Sequence, residues 1–313
     1  MILCVNANAA VDKTLVVDNF RLNHIHRPTF ELALPGGKGC NVARAAKTLG
    51  HQPVVAGWVG GHAGQFIEDG LRAEEILTAF VHTAVESRDC ISILDSSTGA
   101  LTEIYEVGRP VAPDELQAFY TLMIEWLPKA ALVTLSGSLP PGVPVDFYAQ
   151  VIELARQAGV PAILDSSGEA LRVGVEEGRP AVVKCNRAEL SALVEQPLES
   201  LAGVRQAIRD LSDRLGARVI VTLGMAGAVA AEPGRIWLSQ PPRIDALSPV
   251  GSGDAFLAGL ACGLVEGRPF DEALRLATAA GAANALQLGA GCMRRADVDL
   301  LFDQVRTVEE TLA

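Results

Sequence analysis

The sequence predicts an α/β architecture with a mostly parallel central sheet, and three observations carry that prediction. Short β-branched or apolar runs recur at 1–5, 53–59, 131–135, 160–165, 181–184 and 218–223, each brief enough for a strand buried on both faces. Stretches with helical ends and helical spacing lie between them, and such alternation yields a parallel sheet with helices on both faces. Composition agrees: 313 residues, 49% hydrophobic and 20% charged, supply enough apolar surface for a large core.

The elements can be justified in order. The first run, Met1-Ile2-Leu3-Cys4-Val5, lacks a basic flank and soon meets Asn6, Asn8 and Asp12, so it reads as a strand and not as a signal peptide. Residues 41–49 carry Val42, Ala45, Ala46 and Leu49 at helical spacing, and Gly50 ends the helix. Pro113-Asp114-Glu115 places proline and two acids in the first turn of another helix, where the missing N–H costs nothing and the dipole favours negative charge. Residues 14–34 and 89–107 break the rhythm with period-two alternation, as in Cys90-Ile91-Ser92-Ile93-Leu94. They predict a small second sheet that serves as a lid within a single domain spanning 1–313. Its apolar residues Val16, Ile91 and Ile93 would also suit pairing with a second copy in a homodimer.

Charge and cysteine usage exclude several classes. A net charge of -11 and a pI near 5.0 argue against nucleic acid and anionic membranes, which are held by clustered Lys and Arg. An anionic substrate would need a local basic pocket. The most apolar later stretch, 219–231, is interrupted by Thr222, Gly224 and Gly227 and is too short to span a bilayer, so a cytoplasmic protein is expected. The cysteines at 4, 40, 90, 185, 262 and 292 form no Cys-x-x-Cys pair, which predicts reduced, mostly buried thiols. His24 and His26 would share one face of a strand, but without a third ligand they read as a solvated strand and not a metal site.

The chemistry lies in glycine turns. Gly36-Gly37-Lys38-Gly39 lacks the upstream glycine and the Ser or Thr of a Walker A loop, and no Gly-x-Gly-x-x-Gly follows the first strand. The segment Gly251-Ser252-Gly253-Asp254 offers another phosphate site. Its glycines let backbone N–H groups converge, and a helix starting near Asp254 adds its positive end. An aspartate there can act as a base beside the place where phosphoryl charge accumulates. On spacing alone the plainer reading is a tight loop followed by an acid placed for the helix dipole.

The order of several motifs bears on that choice. Asn8-Ala9-Ala10-Val11-Asp12, Gly36-Gly37-Lys38-Gly39-Cys40-Asn41-Val42-Ala43-Arg44, Ser136-Gly137-Ser138-Leu139-Pro140-Pro141-Gly142, Leu164-Asp165-Ser166-Ser167-Gly168, Lys184-Cys185-Asn186-Arg187-Ala188-Glu189, Val221-Thr222-Leu223-Gly224-Met225-Ala226-Gly227 and the segment 249–259 follow one another. Together they resemble the phosphofructokinase-B branch of the ribokinase-like sugar kinases over essentially the whole chain. The resemblance implies a three-layer α/β/α sandwich and an ATP-dependent kinase. Asp254 would be the general base, and the N–H groups of Gly251, Ser252 and Gly253 its anion hole. Asp12, Gly37, Lys38, Asn41 and Ser138 would face the acceptor sugar, with Arg88, and Arg27 as a helper, gripping a phosphate on it. Lys184, Asn186, Thr222, Gly224 and Gly227 would serve ATP, with Gly281, Ala282 and Asn284 as a wall against the adenine or simply as close helix packing. Glu189 would order Mg2+ through water.

The chain departs from the family pattern at Ala9, at Cys185 and at Ser248-Pro249, none of which removes a proton-transfer or phosphate-binding group. Pro249 with Ser252 is similar to tagatose-6-phosphate kinases, 165–171 to the minor 6-phosphofructokinases, and the general outline to 1-phosphofructokinases. The implied acceptor is a phosphorylated ketohexose. The competing readings are a kinase of an unphosphorylated sugar or nucleoside and a non-catalytic sugar-phosphate sensor.

Overall fold

The computed structural model describes residues 1–310. In chain order its strands are β1 (Ile2–Asn6), β2 (Ala10–Val17), β3 (Phe30–Gly36), β4 (Pro53–Val59), β5 (Leu77–His82), β6 (Arg88–Asp95), β7 (Leu101–Tyr105), β8 (Leu132–Ser136), β9 (Ala162–Asp165), β10 (Val182–Asn186), β11 (Arg218–Thr222), β12 (Ala228–Glu232), β13 (Arg235–Gln240) and β14 (Arg306–Glu310). The α-helices are α1 (Lys38–Thr48), α2 (Gly61–Ala73), α3 (Pro113–Trp126), α4 (Phe147–Gln157), α5 (Gly168–Val173), α6 (Arg187–Leu193), α7 (Leu201–Leu215), α8 (Ser252–Val265), α9 (Phe270–Ala285) and α10 (Arg295–Phe302).

The large sheet runs β14-β13-β12-β11-β10-β9-β8-β1-β4-β5, parallel from β5 to β11 and antiparallel from β12 onward. Alternation within each strand feeds two cores. In β1, Ile2 and Cys4 pack with α1, α2, α8, α9 and α10, whereas Leu3 and Val5 pack with α3 to α7. That division makes the three layers. The predicted parallel strands appear within two residues of the expected bounds, and α3 starts at Pro113 with Glu115 accepting from the Ala112 N–H at 2.8 Å.

The small sheet has the order β3-β2-β6-β7, with β2 and β6 parallel. It departs from the expected spans because β2 starts at Ala10 and the middle of 14–34 is a loop. Asn19 and Asn23 take left-handed φ of 51° and 61° there, a conformation that ends extended pairing. His24 and His26 therefore lie on a loop and not on a strand. His26 is tied to the Arg21 backbone at 3.0 Å, and no metal-binding group of three His, Cys, Asp or Glu exists among the described residues.

Strands β5, β12, β13 and β14 extend the sheet beyond the predicted set. Helix α1 begins at Lys38, before the apolar periodicity starts, because Gly37 with φ 88° turns the chain directly from β3 into the helix. All six cysteines are free thiols, five of them buried. Among the described residues no helix is long and apolar enough to cross a membrane.

Candidate active site

Parallel strands end together, and their carboxyl ends leave a crevice where open α/β sheets bind ligands. Here Asn6 of β1, Ser136 of β8, Asp165 of β9, Asn186 of β10 and Thr222 of β11 all line one cavity of about 430 Å³. The small sheet closes one side with Asp12, Arg88 and Tyr105, and the start of α8 closes another with Gly251, Gly253 and Asp254.

Asp254 sits in the first turn of α8 and is only 7% exposed. Its Oδ2 accepts from Asn41 Nδ2 at 2.9 Å, while no donor among the described residues engages Oδ1. Burial pushes its pKa up to about 6, partly opposed by Lys38, the Asn41 amide and Lys184. A carboxylate with that pKa is ionised at neutral pH yet basic enough to accept a proton from a hydroxyl as the transition state forms.

The turn before it depends on Gly251, whose φ is 78° and where an added Cβ would stand 2.5 Å from Ala290 Cα. The N–H groups of Gly251 and Gly253 have no acceptor among the described residues and belong to the positive end of α8. The Ser252 N–H is different, because it closes a tight turn onto Pro249 O at 3.2 Å. It is therefore not available to the anion hole that the sequence predicted from all three residues.

Beside the small sheet, Gly37 approaches Asp12, which accepts its N–H at 3.4 Å. A side chain at Gly37 would strike Asn6 Oδ1 at 2.5 Å. Burial raises the Asp12 pKa against the opposing pull of the Gly37 N–H, Arg44 and Arg88. Arg88 donates to Asn8 O at 3.3 and 3.2 Å and to Glu106 O at 2.7 Å, which aligns the guanidinium and leaves two of its five N–H donors for an anion. Ser138 lies beside it and accepts from Asn8 Nδ2 at 3.2 Å. Arg27 is on the exposed loop and does not reach the cavity.

Between the two sides, the buried Asp165 accepts from Lys38 at 3.0 Å and from Lys184 at 2.7 Å. Burial alone would raise its pKa, but the two ammonium groups outweigh burial and hold it below the usual carboxylate range. Lys38 is likewise held above its ordinary value: burial opposes its charge, and Asp165, Asp254 and Glu189 overcome that.

At the end of β10, Asn186 and Glu189 form a reciprocal cap at the start of α6. The Asn186 side chain accepts the Glu189 N–H at 2.9 Å, and Glu189 Oε2 accepts the Asn186 N–H at 2.7 Å. Glu189 itself lines the cavity. Thr222 lines the same wall, with Gly224 and Gly227 in the turn just beyond it. Gly281 lies where a side chain would meet Ser252 O at 3.0 Å. Asn284 is fully buried and donates to Val250 O at 2.7 Å, which supports the glycine turn from behind α8; Ala282 is buried beside it, whereas Gly281 is half-buried.

Sequence reasoning did not single out Asp165 or Arg44 as site residues, although both stood inside quoted motifs. An aspartate that ends a parallel strand was the available signal for the first. For Arg44, an arginine on the apolar face of α1, beside Ala45 and Ala46, was a signal that its charge must be paired inside the protein.

The pfkB family carbohydrate kinase model matches residues 3–295. A tagatose-6-phosphate kinase of Staphylococcus epidermidis is 34% identical over 316 residues, covering 99% of this chain and 100% of that protein. Among solved structures, phosphofructokinase-2 from Escherichia coli in its tetrameric inhibited form superposes with a TM-score of 0.90 at 29% identity, covering 97% of this chain and 98% of its own. A possible 1-phosphofructokinase from Thermotoga maritima gives a TM-score of 0.91 at 26% identity, covering 99% and 100%.

Proposed function

The chain belongs to the pfkB family of carbohydrate kinases, and from that premise we propose that it transfers the γ-phosphoryl group of ATP to a hydroxyl of a phosphorylated ketohexose, giving a bisphosphate. The observation that carries the reading is Asp254, a buried carboxylate with one oxygen held by Asn41 and the other free at the floor of the cavity, directly before the unspent N–H groups of Gly251 and Gly253.

Each part then has a task. Asp12 and Asn41 read the hydroxyls of the acceptor, and Arg88 with Ser138 meets its phosphate, a group that a guanidinium binds bidentately. Asp254 Oδ1 takes the proton of the attacking hydroxyl. The N–H groups of Gly251 and Gly253, with Lys38, face the phosphoryl oxygens on which charge builds up in the transfer. Lys184, Asn186 and Thr222 flank the phosphates of ATP.

Carboxylates outnumber cationic side chains around the cavity, and Asp165 already shares both lysines. A triphosphate therefore needs added positive charge, and Glu189, a cavity-lining carboxylate with only Oε2 engaged by the Asn186 N–H, fits Mg2+ held mainly by phosphates and water. When bound, Mg2+ would neutralise the phosphate oxygens. In this reading the small sheet acts as a lid over the sugar that keeps out competing water. The lid residues Val16, Ile91 and Ile93, with exposed Ile104 and Val107 at 56% and 75%, are the apolar surface through which it would join a second copy, and light scattering showing a monomer at micromolar concentration would contradict that dimer. Because both substrates are multiply charged and do not cross bilayers, the reading places the protein in the cytoplasm.

The decisive experiment measures ADP release with fructose 1-phosphate, fructose 6-phosphate, tagatose 6-phosphate and the corresponding free sugars. Turnover confined to phosphosugars is expected. A preference for a free sugar would sink the phosphohexose assignment, and no turnover with any acceptor would leave only a sugar-phosphate sensor.

A further inference from the structure

We propose that Arg44 is a positioning residue for the base: its guanidinium holds the Asn41 amide in the one orientation that turns Nδ2 toward Asp254 and leaves Asp254 Oδ1 free for the acceptor hydroxyl. The inference rests on the reading of Asp254 as the base.

Arg44 lies one helical turn after Asn41 on α1, so the two side chains share a face. It is 8% exposed, and all five of its N–H donors have acceptors. Nε donates to Glu74 Oε2 at 2.9 Å, Nη2 to Glu74 Oε1 at 3.0 Å and to Pro35 O at 2.7 Å, and Nη1 to Ala290 O at 2.8 Å and to Asn41 Oδ1 at 3.3 Å. A planar group anchored along every edge cannot rotate. Its last donor is therefore fixed in space against the Asn41 amide.

An arginine has no acceptor, so the atom of Asn41 that faces it has to be the oxygen. The NH2 group then points the other way, to Asp254 Oδ2 at 2.9 Å. Turning the amide over would set its NH2 against a guanidinium N–H and its oxygen against a carboxylate oxygen. The second of those contacts is tolerable only if Asp254 is protonated, the form that cannot act as a base. Arg44 thus favours the ionised base through the amide.

The same guanidinium ties together the end of β3, the end of α2 and the Ala290 backbone against which Gly251 packs. A purely structural tie would lower stability and leave the titration of Asp254 alone. Lys38 and Asn41 from α1, Asp165 at the end of β9 and Lys184 from β10 face Asp254; Glu74, Asp12, Cys40 and Cys292 face Arg44. None of these groups changes in Arg44→Lys.

The test follows the side-chain amide of Asn41 by NMR in the 15N-labelled full chain, identified by its loss in Asn41→Ala, beside the pH dependence of kcat. In the wild type the Asn41 signal is expected to titrate with the acid limb of kcat. In Arg44→Lys, which keeps the charge but not the five-pointed anchorage, both midpoints are expected to rise by about one pH unit, equivalent to a roughly tenfold loss of kcat on the acid side that recovers at high pH. An Asn41 signal that ignores pH, or an unmoved midpoint with kcat lowered equally at every pH, overturns the proposal. Should Arg44→Lys not fold, Glu74→Asp retains the ion pair but draws the guanidinium back by a methylene and should move the midpoint in the same direction; no movement there overturns it equally. Asp254→Asn separates the two levels of failure. If that variant turns over at the wild-type rate, the base reading falls and this inference with it, whereas an inactive Asp254→Asn beside an unmoved midpoint refutes the role of Arg44 alone.

Discussion

Asn41 donates its side-chain amide to Asp254 at 2.9 Å across 213 residues of sequence, joining the first turn of α1 to the first turn of α8. The two helices start from the glycine turns at Gly37 and Gly251, both in the cavity wall, and this hydrogen bond links them where the proposed transfer would bring hydroxyl and phosphoryl group together.

Asp254→Asn is expected to lower kcat by roughly 10²- to 10⁴-fold with little change in either KM, since the amide retains the shape and loses only the proton acceptor. Steady-state kinetics with the best phosphosugar checks this. Turnover near the wild-type level would rule out base catalysis by this residue.

The pKa of Asp254, raised to about 6 by burial, has consequences for both rate and stability. Only the ionised form is a base, so kcat should fall as pH drops through about 6. For stability the sign runs the other way: the folded state holds the proton more tightly than the unfolded chain, so folding is favoured below the unfolded pKa near 4 and loses that advantage as pH rises through 6. Replacement by Asn should therefore raise the melting temperature at pH 8 relative to wild type more than at pH 4.5, by an amount corresponding to up to about 3 kcal/mol. Thermal unfolding at the two pH values reads the difference, and equal shifts at both would contradict the raised pKa.

Asp165 is shared by Lys38 and Lys184, so Asp165→Asn leaves two ammonium groups facing a neutral amide. Breaking a buried ion pair by removing one partner costs about 3–5 kcal/mol. The depressed pKa of Asp165 means its stabilisation is present above the unfolded carboxylate pKa and is lost as pH falls through the lower folded value. The gap between wild type and variant in urea unfolding should accordingly stay constant from pH 8 to 5 and narrow only in stronger acid. A gap that closed near pH 6 would show that the carboxylate is not held ionised by the lysines.

Arg88→Ala is expected to raise the KM for a phosphosugar at least tenfold and leave the KM for ATP within twofold, as loss of a charged hydrogen bond to a phosphate should do. Arg88→Lys should recover part of the loss, being a point charge without the fork. If both KM values rose together, the residue would be serving the Asn8 and Glu106 carbonyls it also holds and not the acceptor phosphate.

How much of this was legible in the sequence depends on how local each signal is. The parallel strands and the glycine turns announce themselves within a few residues, because burial on both faces and positive φ each restrict residue type. Strand β14 did not, since the antiparallel edge Arg306–Glu310 is half exposed and carries no continuous apolar run. The loss of the Ser252 N–H to Pro249 O depends on how tightly the turn closes, which residue type does not specify. Arg44 illustrates the same limit on a larger scale: apart from Asn41, one helical turn before it, its acceptors Pro35 O, both Glu74 oxygens and Ala290 O are linked to it by no spacing rule and are assembled only by the tertiary fold.

Gly251→Ala tests the geometry of the turn itself. Its φ of 78° is costly for any residue with a Cβ, and that atom would stand 2.5 Å from Ala290 Cα and 2.7 Å from the Gly291 nitrogen, all backbone or near-backbone atoms that cannot swing aside. The strain alone amounts to about 1–3 kcal/mol, so part of the protein should still fold at 25 °C. Relief requires the turn to move away from Ala290, which misaligns the Gly251 and Gly253 N–H groups that have no other acceptor. Removing one such donor from a preorganised site typically costs 10²- to 10³-fold in kcat. The folded fraction, measured by circular dichroism, should therefore remain substantial while kcat falls at least a hundredfold; a variant that folds and retains its rate would show that these N–H groups do not stabilise the transferring phosphoryl group.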